Sequence, residues 1–566
     1  MNGLPRADRN GLLDTKALNG RKSEDNDKFR SLSRTMQSQL KQARKKDFMG
    51  KPADRNTLVY FVRENLMLLL LLLISVLCVY TFWFTYSYWK LIRHKNILEP
   101  NSRALRLFKS VPMENMKVCI SIFNYTNIEE FNLNNSVPFD VESVGPFCFR
   151  DIPNKKDVSF NADETEISFQ EDSSVRFLPN ESKGTLDDLV VVPNIPLLGV
   201  FHQVLERSYV IRLAMATKIK LYSYEPFLQL KVSDFLFGYY DELLEWIYKM
   251  GKTVGYESPM RRFSLLDSVM KSMNSRYTLD TGLADVNRLG DMIVYNDQTR
   301  LSVWKTDECN EFRGSYGAYW PPASVREGGN VSFFNGFLCR NVPLVKEQDT
   351  RYANFISVAR YQSSPDLFTY PSNASESCYC LEEPCIDNLF SVGKCLSGPF
   401  VLSYRNFYGV DRDKLPHINF DKLTTYTSRD DEWKTYFDIH PGLGNTMSFK
   451  TTFQLNVQVK KKNLILDFPV RLEHDQILPT VVIERSGPNL NKKTTTLLIV
   501  LSVVEGTLQY GSILLTLVLV YVLVRRLQEL RRLFYVHKVT VSPPIYLYHQ
   551  STISHVTDQR KIYSQL

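Results

Sequence analysis

The chain has 566 residues, more than one ordinary domain needs, and its 44 % hydrophobic content is that of an average soluble protein, an average that conceals two almost purely apolar stretches. Residues 1–64 carry 15 Lys/Arg against 8 Asp/Glu and residues 525–566 carry 7 against 2, so of the net +8 the tails hold +12 and everything between them −4. Positive charge confined to tails suits contact with anionic lipid and excludes nucleic acid as the partner it serves.

Residues 1–64 are polar and lack sustained apolar periodicity, which predicts a mostly disordered tail. Within it, Asp8-Arg-Asn-Gly-Leu12-Leu13 fits the acidic dileucine pattern of sorting signals. Residues 65–89 hold no charge, and 25 residues at about 1.5 Å each exceed the roughly 30 Å hydrocarbon core of a bilayer. They are predicted to form a first transmembrane helix, with Trp83, Tyr86, Tyr88 and Trp89 as an interfacial belt at its end.

Residues 90–493 change character several times. Val118–Phe123 and Asp157–Phe169 alternate as strands do. From about 184 to 275 the pattern is helical: Leu197, Leu198, Phe201, Val204 and Leu205 share one face, and Val232–Met250 is a second amphipathic run. Residues 262–273 suggest a third helix. Strand-like runs return at Met292–Tyr295, Leu301–Trp304, Phe400–Tyr404, Thr446–Val459, Leu464–Val470 and Val481–Ile483. Strands, a helical insert, then strands again make an α+β domain with its helices gathered at one end.

Eight of the nine cysteines lie in this segment; the ninth, Cys78, falls in the first apolar stretch. All five glycosylation sequons lie there as well, at Asn124, Asn134, Asn180, Asn330 and Asn373. An even cysteine count with sequons points to disulfides in an oxidising, non-cytosolic compartment. Cys378-Tyr-Cys380 with Cys385 has no CxxC pair and no nearby histidine, so neither a metal site nor a cofactor is expected. Spacing alone cannot pair the six cysteines from Cys309 to Cys395.

The second apolar stretch, residues 494–524, is too long for one perpendicular span and contains Glu505. It is divided here into a juxtamembrane segment, 494–505, and a second transmembrane helix, 506–524, with the acid at the boundary. Arg525, Arg526, Arg531 and Arg532 follow, and the charge balance places both termini in the cytosol. The tail 525–566 ends Tyr563-Ser-Gln-Leu566, which fits the Tyr-x-x-apolar signal that clathrin adaptors bind as an extended strand. Both tail signals suggest cycling between the plasma membrane and endosomes or lysosomes.

The ordered motifs of the central segment resemble those of the class B scavenger receptor family, which includes the fatty-acid translocase, the high-density-lipoprotein receptor and the lysosomal integral membrane protein. Phe123-Asn-Tyr-Thr-Asn127 with Glu129-Glu130 is similar to the family's FNxTNxEE, and Glu142-Ser-Val-Gly-Pro-Phe147 to its E-x-V-G-P-Y. Phe237-Gly-Tyr-Tyr-Asp241, Trp304–Asn310, Leu338-Cys-Arg340, Cys378-Tyr-Cys380, Asp438–Gly444 and Gln454-Leu-Asn456 follow in the family's order. The chain departs from the pattern at Gly314-Ser-Tyr-Gly317, where the family reads NGTDG, at Thr451-Thr452, where it has a basic pair, and in its longer N-terminal tail.

The resemblance implies a β-barrel-like core crossed by an apolar tunnel, with a helical bundle at the apex. It implies the pairings Cys309–Cys378, Cys339–Cys395 and Cys380–Cys385, leaving Cys119 and Cys148 for a fourth bridge. It implies lipids, fatty acids, sterols, lipoproteins or a protein cargo as ligands, carried through the tunnel or delivered by endocytosis. Lys218 and Lys220 stand near the family's apical lysines, and Leu197, Leu198 and Phe201 beside them are candidate ligand contacts. No GxSxG, HExxH or P-loop occurs, so an enzyme is not expected. The rival is a two-span ion channel with a cysteine-rich ectodomain; its pore would need polar residues along the second span, and here they gather at one end.

Overall fold

The structure is a computed structural model that describes residues 55–540, apart from 86, 110–115, 134–136, 205–208, 223, 254–261, 267–274, 365, 371–374, 382, 397, 424–433, 461–474, 489 and 491. The predicted strand Leu464–Val470 and both tail signals lie outside the described residues. The chain divides into two units, residues 1–79 with 510–566, and residues 80–509.

The first unit contains the long helix Arg55–Phe84 as far as Val79 and the long helix Lys492–Thr540 from Tyr510 onward. Val62–Phe84 and Lys492–Arg532 are each long and apolar enough to cross a membrane. Leu66, Met67, Leu73, Leu514, Leu517 and Val518 stand exposed on them, as lipid-facing side chains would. The second helix runs unbroken for 49 residues, so the segment 494–505 is its opening and Glu505 lies within it.

The second unit is built on one large antiparallel sheet. Its strands are β1 (Lys117–Tyr125), β2 (Val141–Phe160), β3 (Glu166–Phe177), β8 (Arg276–Asp280), β9 (Met292–Tyr295), β10 (Val331–Asn335), β11 (Arg340–Tyr352), β12 (Ile356–Ser363), β13 (Leu389–Ser391), β14 (Phe400–Ser403), β15 (Tyr436–Ile439), β16 (Thr446–Val459) and β17 (Gln476–Pro488). Two short ladders, β4 (Leu189–Pro193) with β5 (Phe227–Lys231) and β6 (Tyr239–Tyr240) with β7 (Arg262–Phe263), stand apart. The main order is β10-β11-β12-β15-β16-β17-β1-β2-β3-β8-β9, with β14 joining β16 and β13. The central strand β1 is rich in Val, Ile and Phe and buried on both faces, the composition of a strand that meets packing on either side.

The sheet curls until its end strands nearly meet, and Gly314–Tyr316 spans the gap. Met292 N donates to Gly314 O at 2.9 Å and Tyr316 N to Gly290 O at 2.9 Å on one side. Ser315 N donates to Ser332 O at 2.9 Å and Phe334 N to Ser315 O at 3.0 Å on the other. Gly314 has φ +84°, and a Cβ there would collide with the Ser332 carbonyl oxygen. Only glycine fits, and the barrel closes through it.

Several predicted elements differ. Asp157–Phe169 is not one strand but the end of β2, a turn and the start of β3. Asn161 makes the turn: its side-chain oxygen accepts from Glu166 N at 3.0 Å. Leu301–Trp304 is a bend in which Asn310 replaces a neighbouring strand, its side chain accepting from Val303 N at 3.0 Å and Trp304 N at 2.9 Å. The run Val232–Met250 breaks into helices Val232–Phe237 and Glu242–Thr253 because Gly238 turns the chain at φ +114°. Arg262–Phe263, predicted helical, pairs with the strand that this turn creates.

The first helix ends at Phe84, short of the predicted 89, and a second helix covers Ser87–Arg93. Trp89, expected at the membrane interface, is only 3 % exposed; it packs with Ile356, Val358, Leu443 and Met447 and lies 4.4 Å from the His440 ring. A tryptophan ring buries more apolar area there than at an interface. Trp83 Nε1 donates to Gln509 O at 3.3 Å, Gln509 Nε2 to Phe82 O at 3.1 Å and Tyr88 Oη to Leu501 O at 3.0 Å, joining the chain's way in to its way out.

Candidate functional site

Strands β2 and β3 alternate sides, and the alternation decides what lines the barrel. On β2, Asp151 and Lys155 point inward while Ile152, 41 % exposed, points out. Lys155 lies directly opposite Glu171 of β3. One residue along, Lys156 pairs with Asp172 on the solvent face. The same ladder therefore carries an exposed ion pair outside and a separated pair of opposite charges inside.

Lys155 and Glu171 line a cavity of about 290 Å³. Its wall draws on Leu107 and Phe108 of the helix Arg103–Lys109, Tyr277 of β8, Phe333 and Phe334 of β10, Phe437 of β15, Phe449, Thr451 and Phe453 of β16, and Ile483 and Arg485 of β17. The closing segment contributes Tyr316 and Tyr319. The cavity reaches Asn96, Leu490 and Thr494, the last at the start of the second long helix. The expected tunnel was apolar; this chamber mixes aromatic rings with Lys155, Glu171 and Arg485.

Each charge has a distinct environment. Arg485 Nε donates to Asp151 Oδ2 at 2.8 Å, and Asp151 is fully buried. Glu171, 5 % exposed, accepts from the Tyr316 hydroxyl. Burial pushes its carboxyl above the usual range, against the pull of Lys155 and Arg485. The Lys155 ammonium sits 4.7 Å from the Phe108 ring centroid, 5.7 Å from Phe169 and 6.0 Å from Tyr316. Among the described residues it makes no ion pair within 4.0 Å. Burial pushes it down, with Glu171 opposing. Lys155 is half-buried and lines the chamber.

None of these four was singled out by sequence reasoning. The stretch Asp151-Ile-Pro-Asn-Lys155 inverts the usual rule by burying charge and exposing an isoleucine, so periodicity misleads there. The one available signal was departure from the family pattern. Tyr316 and Thr451, both at such departures, line the chamber.

The residues predicted around the helical insert do not converge on a cavity among the described residues. Leu197 is fully buried with Ile219 and Leu243, and Leu198, 3 % exposed, belongs to the barrel core. Phe201 lies in the helix Ile195–Val204, its side chain outside the described set. Lys218 holds its ammonium 3.1 Å from the Tyr222 ring centroid and 5.6 Å from Trp246, while Lys220 is exposed.

The structure joins Cys309 to Cys378, Cys339 to Cys395, Cys380 to Cys385 and Cys119 to Cys148. The last pair sits face to face in the β1–β2 ladder with Cα atoms 4.0 Å apart. The other three gather around Trp304 and Tyr379, where the Arg340 guanidinium lies 3.8 Å from the Tyr379 ring. Asn180 and Asn330 are exposed. Asn124 is half-buried, its side-chain oxygen accepting from Val191 N at 2.8 Å. Asn134, Asn373, Asp8, Leu12, Leu13, Tyr563 and Leu566 lie outside the described residues.

Comparison with known proteins agrees with this architecture. Scavenger receptor class B member 1 of Bos taurus is 26 % identical over 450 residues, covering 77 % of this chain and 83 % of the relative. Lysosome membrane protein 2 of Mus musculus is 26 % identical over 436 residues, covering 74 % and 86 %. Lysosome membrane protein 2 of Homo sapiens is 26 % identical over 406 residues, covering 71 % and 81 %. The model of the CD36 family matches residues 66–527, and the chain belongs to that family.

Proposed function

We propose that this chain is a scavenger-type receptor that takes lipid from a lipoprotein or a soluble carrier, holds it in the barrel chamber and delivers it at the membrane. The observation that carries the reading is the chamber itself, closed by Gly314–Tyr316 and reaching Leu490 and Thr494 beside the second apolar helix. Aromatic walls shield an acyl chain from water at about 0.8 kcal/mol per buried CH₂. Binding and transfer need no covalent step, so the reading is of a receptor and not an enzyme. The family match lends the two-span channel no support.

The disulfides and the exposed Asn180 and Asn330 favour an ectodomain outside the cytosol, with both tails inside. Tail signals read by clathrin adaptors would cycle the receptor between plasma membrane and lysosome. The test uses full-length protein in nanodiscs, with co-purifying lipid identified by mass spectrometry and transfer followed from labelled particles. Leu107→Trp, which fills the chamber, is expected to remove both bound lipid and transfer. Undiminished transfer in that variant would place the lipid path elsewhere.

A further inference from the structure

A buried cation normally has a counter-ion in contact, because removing charge from water is costly unless it is paired and hydrogen-bonded. Arg485 meets this rule through Asp151 at 2.8 Å. Glu171, the anion nearby, is hydrogen-bonded by the Tyr316 hydroxyl. Lys155, half-buried on the chamber wall, has no such partner among the described residues: its ammonium is steadied by ring faces and its opposite charge, Glu171, is turned to another donor. The geometry leaves one cation on the chamber wall with no hydrogen-bond acceptor among the described residues. A flat aromatic surround attracts such a cation but supplies no acceptor.

The chamber's size narrows what belongs there. At about 290 Å³ it sits at the lower end of ligand pockets, which span roughly 300–1,000 Å³. It suits a head group with the first part of its chain better than a whole long lipid.

Resting on the reading that the chamber holds lipid, we propose that Lys155 anchors the anionic head of an acyl amphipath, a carboxylate or a phosphate, inside the barrel, and that Glu171 takes up one proton as the anion arrives. An O–H bond forms at Glu171 with a proton given up by solvent hydronium, which becomes water, and the head pairs with Lys155. Anion and proton enter together, so the net charge of the barrel interior is unchanged. The groups facing Glu171 are Lys155 and Asp151 from β2, Tyr277 from β8, Tyr316 from the closing segment and Arg485 from β17. Burial holds this carboxyl above the usual carboxylate range, and an anion arriving beside Lys155 pushes it further in the same direction. The head group is thereby selected from within, and a neutral sterol or ester gains nothing from Lys155.

The test measures binding to the full chain in nanodiscs at pH 7.4 and 5.5. The probes are oleyl sulfate, whose charge is the same at both pH values, and neutral oleyl alcohol with the same chain. Leu107→Trp is expected to abolish both; if it abolishes neither, the chamber reading fails. Lys155→Met is expected to weaken oleyl sulfate at least tenfold and leave oleyl alcohol within twofold, with Lys155→Arg restoring the sulfate. Equal effects on both probes, or none, overturn the anchor while the chamber stands. Wild-type protein should bind oleyl sulfate more tightly at pH 5.5 than at 7.4. Glu171→Gln, which keeps an acceptor for Tyr316, should bind it tightly at both; a persisting pH gain overturns the proton linkage. Oleate and lysophosphatidate compared in Lys155→Met distinguish the head: the one that weakens is the natural chemistry, and if neither does the proposal falls.

Discussion

Lys155 inside the barrel and Lys218 on the helical insert both rest their ammonium groups on aromatic rings, at 4.7 Å from Phe108 and 3.1 Å from Tyr222. The shorter contact is the less consequential one. Lys218 is in reach of water, which competes for its charge, and the contact leaves a surface helix much as it would be without it. Lys155 faces a chamber walled by rings and by two other charged residues, Glu171 and Arg485, where an electrostatic contact is worth more than on a surface helix. An apical lysine is the one that resemblance brings to mind, whereas an interior lysine is the one whose surroundings demand a partner.

Four variants sharpen or break this contrast. The largest effect is expected from Gly314→Ala, which drives a Cβ into the Ser332 carbonyl at a left-handed φ and forces the barrel seam apart. A loss of about 4 kcal/mol is expected in denaturant unfolding of the full chain, with the chamber probe lost in parallel. Retained stability would mean that the seam does not hold the barrel shut.

Acid attacks the barrel end through His440. Burial pushes this imidazole down to about 4, and its Nδ1 accepts from Gly442 N at 3.0 Å and Leu443 N at 3.2 Å. The unfolded chain binds the proton more readily, so the stabilisation is full above the ordinary histidine value and is lost as pH falls through the folded one. Between about pH 6.5 and 4 the loss should approach 3 kcal/mol. His440→Asn, which keeps an acceptor without a titration, should flatten the unfolding temperature across that window; an unchanged slope would assign it to other groups.

Tyr316→Phe removes the hydroxyl that Glu171 accepts and should cost about 2 kcal/mol, read by thermal unfolding. The smallest change is expected from Lys218→Ala with Lys220→Ala, within about 1 kcal/mol and without effect on anionic-lipid binding. A clear loss of binding there would return the ligand site to the helical insert.

The sequence made some of this visible. Thr446–Val459, which its sequence presents as a strand, is β16 to the residue, because β-branched and aromatic side chains recur through it. The breaks were harder. Gly238 alone divides what periodicity presents as one helix, since helical spacing on both sides survives the turn. The hairpin at Asn161 was missed because strand alternation runs through it in both directions. The chamber was invisible for a different reason: burial there follows closure of the sheet, a non-local event that places Asp151 inside and Ile152 outside. Tyr316 showed only as a departure from a family pattern, with no local clue to its direction.

The first strand of the sheet pairs with the last. Lys117 of β1 lies opposite Ser486 of β17, and nearly the whole ectodomain is threaded between them. During synthesis β1 emerges early, apolar on both faces, and one of its two neighbours exists only when the ribosome has almost finished the domain. Pairing at such sequence separation is slow, and an unpartnered strand of this kind invites association with other chains. The barrel therefore completes its sheet late, and the interval before β17 arrives is when the protein most needs a chaperone.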